Sequence, residues 1–71
     1  MERNMQIRHL AEAERHLALG AQHISGQELR IEDLELHGHD ATLARCLLET
    51  FRLTQAQNIA HRDQILRELG Q

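Results

Sequence analysis

Between about residues 5 and 36, apolar positions return every three or four residues. Leu10, Leu17, Ile24 and Ile31 occupy one slot of a heptad, and Ala13, Gly20, Gln27 and Leu34 the other. A repeat of about 3.5 residues marks a helix that packs along a narrow seam. Gly20 and Gly26 oppose this reading, since glycine costs about 1 kcal/mol in a helix interior. The seam keeps its phase through both, so one long helix is expected, with Ser25-Gly26 the place where it would bend or break. Asn4 is a reasonable N-cap for it.

The stretch "LHGHDAT" interrupts the pattern at residues 37–41. Gly38 suits the left-handed residue that follows a helix, and Asp40 suits the N-cap of the next. A second helix is then expected over about 41–69. Its apolar stripe reads Ala44, Leu47, Leu48, Phe51, Ile59, Ile65, Leu66 and Leu69. Two long helices of similar length joined by a short turn form an antiparallel hairpin, so the expected fold class is all-α and coiled-coil-like. Pairing Leu34 with Ala44 beside the turn sets Gly20 against Ile59, Gln27 against Phe51 and Ala13 against Ile65 and Leu66. Small residues would then oppose large ones.

A single hairpin leaves further apolar residues uncovered. Helix 2 carries Cys46, Leu53, Ala56 and Ala60 away from its main stripe, and helix 1 carries Ile7, Ala11, Ala18, Leu29 and Leu36 to one side of its seam. Exposed apolar stripes mark association surfaces. These residues are therefore the expected dimer or partner interface, and a homodimeric four-helix bundle is the expected assembly.

Composition narrows the function classes. The chain has 71 residues, a length at which oligomerisation often supplements a small core. All eight basic residues are arginine, against eleven acidic ones, and the net charge is -3. That balance gives no polyanion-binding surface, and with Phe51 the only aromatic among Phe, Trp and Tyr there is no stacking platform for nucleic acid. No apolar run approaches the ~20 residues of a membrane span, and the start of the chain lacks a secretory apolar region. Cys46 is the single cysteine, which fits a reducing compartment. The expectation is a cytoplasmic protein that binds neither membrane nor nucleic acid and carries no cofactor.

Candidate chemistry rests on histidine. His9, His16 and His23 stand seven residues apart, and His37 falls in the same heptad slot. This slot borders the seam, where coiled coils place polar flanking residues. The chemically active reading is a transition-metal or pH-responsive site. In the pairing above, His9, His16, His61 and Glu68 would converge, and imidazole with carboxylate suits zinc or iron. The Glu-x-x-His motifs of di-iron bundles are absent. "HGHD" is explained by the turn. "HRD" at residues 61–63 lacks every other kinase element, and Asp63 is expected to pair with Arg67. No nucleophile, base and orienting group can be assembled, so the chain is not expected to be an enzyme.

The segments "AEAERHLALGAQHI", "GHDATLARCLLETF" and "HRDQILREL" resemble short alphaproteobacterial proteins that look like helical hairpins and have no assigned function. The resemblance covers much of the chain and implies the hairpin fold, but supplies no catalytic residues. The functional expectation is a non-enzymatic helical protein–protein interaction module acting as a homodimer. The alternative is a metal- or pH-responsive sensor built on the histidine stripe.

Overall fold

The computed structural model describes residues 3–70, which form two helices, α1 (Arg3–Leu36) and α2 (Thr42–Leu69), packed side by side. The hairpin is a rod of 54 × 14 × 13 Å. Helix α1 is continuous through Ser25-Gly26. Asn4 lies within it and is not its cap.

The single chain reversal among the described residues occurs where the glycine and aspartate place it. Gly38 has φ +73°, the left-handed conformation that only glycine adopts without strain. The His39 N–H donates to the Leu34 carbonyl (2.8 Å) and the Gly38 N–H to the Glu35 carbonyl (3.1 Å), which closes α1 with a Schellman motif. On the far side, Asp40 Oδ1 accepts from the Thr42 N–H (3.0 Å) and from the Thr42 hydroxyl (2.6 Å). Asp40 thus serves one orphan N–H of α2, that of Thr42, but the N-cap expected at Asp40 is corrected to Ala41, one residue nearer the helix. At the open end of the hairpin, Arg3 Nη1 donates to the Leu69 carbonyl at 3.2 Å, placing a cation at the negative end of α2.

The seam follows a strict alternation of three- and four-residue steps on both helices. On α1 the less exposed positions are Gln6, Leu10, Ala13, Leu17, Gly20, Ile24, Gln27, Ile31 and Leu34. The same steps on α2 pass through Ala44, Leu48, Phe51, Gln55, Asn58, Arg62, Ile65 and Leu69, with Ala41 buried just ahead of the helix. Ile31, Ala41 and Leu48 form the apolar cluster beside the turn, with Ile24, Leu34 and Ala44 packed on it. The α2 stripe expected from hydrophobicity is therefore corrected. Leu47, Ile59 and Leu66 remain exposed, while polar Gln55, Asn58 and Arg62 take seam positions.

The pairing is also corrected, by roughly one helical turn. Gly20 lies against the side chain of Gln55, not Ile59, and a Cβ at Gly20 would overlap the Gln55 amide. Two glutamines tie the helices together in opposite directions. Gln27 Nε2 donates to the Ala44 carbonyl and Gln55 Nε2 to the Leu17 carbonyl, each at 2.9 Å. Gln55 Oε1 is buried without a conventional partner. It points at the Gly20 backbone, where only a weak Cα–H contact is on offer.

Gly26 has open space around it, so Gly26→Ala should stabilise the chain by about 0.5–1 kcal/mol, the ordinary gain of alanine over glycine in a helix. Gly20→Ala should lose that gain, because Gln55 must swing away and forfeit a hydrogen bond worth about 1 kcal/mol. Thermal unfolding of both variants, alone and with Gln55→Ala, checks this. Equal stabilisation by the two substitutions in the native background would show that Gln55 does not lie across Gly20.

The second prediction concerns acid. The Thr42 hydroxyl, then the Thr42 N–H, hold the Asp40 carboxyl below its ordinary value of 3.8, with the Arg45 charge assisting and slight desolvation opposing. A carboxyl whose folded value is depressed stabilises the fold above its unfolded value, and that stabilisation disappears as pH falls through the folded value. Asp40→Asn keeps a capping oxygen without the charge. Its stability should therefore fall less steeply than that of the native chain as pH drops from about 5 to 2. Parallel acid profiles of the two proteins would refute the linkage.

Candidate functional site

The heptad steps sort the surface into distinct sides, and the ion pairs identify them. Arg52 Nη2 meets Glu28 Oε2 at 3.1 Å, and Arg45 Nη2 meets Glu35 Oε2 at 2.9 Å. Both pairs cross the seam. The seven-residue stripe through Ile7, Glu14, Ala21, Glu28 and Glu35 therefore borders the seam on the same side as the stripe through Arg45, Arg52, Ile59 and Leu66. The histidine stripe of α1 and the α2 stripe through Leu47, Thr54, His61 and Glu68 border it on the other.

Concave space opens on the histidine side. His16, Leu19, Gly20, His23, Phe51 and Thr54 line a groove of about 380 Å³, with the His23 and Phe51 ring centroids 5.7 Å apart. Towards the open end, His9, Glu12, His16 and His61 share a second hollow of about 190 Å³. A third is lined by His9, His61 and Glu68 together with Gln6.

The structure thus gathers the expected metal-binding set on one side, but not around one point. Among the described residues, no group of three or more His, Cys, Asp or Glu side chains is arranged to hold a metal ion. Glu68 Oε1 instead accepts a hydrogen bond from Gln6 Nε2 at 2.5 Å. His9, His16, His23 and His61 are exposed, in keeping with flanking positions of a coiled coil. His37 Nδ1 lies 2.8 Å from the Asp33 carbonyl, at the end of α1. Asp63 pairs with its neighbour Arg62 at 2.7 Å, not with Arg67 as expected.

The expected interface residues are all exposed, but they do not form one surface. Ile7, Ala11, Ala18 and Ala56 lie on the ion-paired side. Leu29, Leu36, Cys46, Leu53 and Ala60 lie two residues from a seam position, at the back of their own helices. There the two helices point away from each other, so α1 and α2 residues of this second group cannot meet one flat partner together. Hydrophobicity alone missed Ala21, Ile59 and Leu66 as surface residues of the ion-paired side, and Gln27 and Gln55 as seam residues. The signal that finds them is the unbroken three-and-four spacing from Ala41 to Leu69.

No helix among the described residues is long and apolar enough to cross a membrane. Comparison with protein-family models, curated proteins and solved structures finds no match to this chain.

The scattered histidine geometry generates a prediction. A metal site that must first rearrange several exposed side chains loses affinity to their ordering. Equimolar zinc should therefore leave the thermal midpoint at neutral pH where a chelator leaves it. A zinc-dependent rise that His16→Ala or His61→Ala abolishes would instead establish the sensor reading.

Proposed function

We propose that the chain is a non-enzymatic helical interaction module of the bacterial cytoplasm, acting as a homodimer that docks a helical face onto another protein. The observation that supports this is surface area. The chain exposes 5525 Å². A compact folded protein of 8.2 kDa exposes about 4,500 Å², so the hairpin carries about 1,000 Å² in excess. A standard stable interface buries about 800 Å² per partner, which matches that excess. The core points the same way: among the described residues no large side chain is fully buried, while Leu29, Leu36 and Leu53 are 66%, 80% and 63% exposed.

In this reading two hairpins pair into a four-helix bundle, and the apolar residues left at the backs of the helices are available to a further protein partner. The partner chemistry this reading calls for is apolar, to match Leu29, Leu36 and Leu53.

Light-scattering mass at high micromolar concentration tests the dimer directly. Two chains per particle are expected, with a melting temperature that rises with protein concentration, as mass action requires of a dimer. A mass of one chain at that concentration would overturn the proposal.

A further inference from the structure

The homodimer reading leaves open which side of the hairpin the second copy covers. Resting on that reading, we infer that it covers the ion-paired side, through Ile59 and Leu66 of one copy against Ala11, Ala18 and Ala21 of the other, with the histidine side left in water.

Four observations lead there. First, the open-end half of this side is mostly apolar on both helices: Ile7, Ile59 and Leu66 are 47%, 41% and 46% exposed, and Ala11, Ala18, Ala21 and Ala56 are exposed between them, with Glu14 the charge on the α1 stripe there. Second, several of its charges are already matched within the chain. Glu28 with Arg52, Glu35 with Arg45, and Asp63 with Arg62 form ion pairs. Covering this side would bury these pairs and leave Glu14 for the second copy to accommodate, whereas covering the histidine side would bury the exposed imidazoles of His9, His16, His23 and His61.

Third, the shape is self-complementary. On α1 this half presents Ala11, Ala18 and Ala21, and on α2 it presents Ile59 and Leu66. A two-fold axis that sets α1 of one copy against α2 of the other therefore fills each shallow stripe with the bulky one, twice over. Fourth, the excess exposed area is about what one side of such an interface removes, so a single two-fold contact accounts for it.

The experiment compares three charge substitutions by light scattering and sedimentation, with helicity as the folding control. Ile59→Glu and Ala21→Glu each place an unpaired carboxylate in the inferred interface and should weaken the dimer by roughly a hundredfold. Leu19→Glu, on the histidine side and 47% exposed, should leave it intact. Should a glutamate variant fail to fold, a gentler probe decides. In a Cys46→Ser background, the thiol of Ala21→Cys should become protected from alkylation as protein concentration rises, while that of Leu19→Cys should not. Dissociation by Leu19→Glu alone, or protection at Leu19→Cys alone, would overturn the inference and leave the homodimer standing. A native chain that is monomeric would overturn both.

Discussion

Gln55 lying across Gly20 sets how the two helices slide along each other. A seam built only from aliphatic side chains tolerates displacement by a heptad, because each layer resembles the next. Here one glutamine on each helix must reach a particular carbonyl of the other, Ala44 for Gln27 and Leu17 for Gln55. One of the two also needs a position without a Cβ. Displacement by a turn would strand two buried amides, at roughly 1–3 kcal/mol each. Buried polar groups of this kind spend stability on register, as a single core asparagine does in coiled coils.

Everything on the outside inherits that register. It brings Glu28 to Arg52 and Glu35 to Arg45, and so sorts the flanking stripes into an ion-paired side and a histidine side. Surface ion pairs of this exposure add little stability. Their consequence is chemical: one side presents the two cross-seam ion pairs beside small and aliphatic residues, while the other presents imidazoles around hollows. A slide by one turn would mix these characters.

The hairpin itself was legible in the sequence because its signals are local. Gly38 and Asp40 act through backbone geometry and a short-range hydrogen bond, and both do in the fold what their residue types suggest. The α1 seam was legible for a related reason, since aliphatic residues fill most of its slots. The α2 seam was not. Its positions include Gln55, Asn58 and Arg62, while Leu47, Ile59 and Leu66 sit beside it, so a count of apolar residues drifts off the true stripe. Spacing is the stronger constraint, because both helices must keep one phase along the whole contact. The histidine set was legible as a stripe but not as a site. Sharing a side brings rings to the same hollows, whereas ligation needs their nitrogens to converge, and heptad position does not control that.

The polar seam and the apolar exterior have a common cause. A helix of given length has a fixed number of seam positions, and this chain gives several of them to glutamine, asparagine, arginine and glycine. The aliphatic residues that would ordinarily fill those layers stand one position to the side, at Ile59 and Leu66, or at the back, at Leu29 and Leu53. Such a hairpin is well specified in register but thin in core, because hydrophobic stabilisation scales with the apolar area removed from water. The area it lacks internally is the area it presents outside. A second copy that covers the ion-paired side would return Ile59 and Leu66 to a buried layer without disturbing the glutamines. The polar seam decides which residues meet within the chain, and the proposed association would supply the burial that the seam gives up.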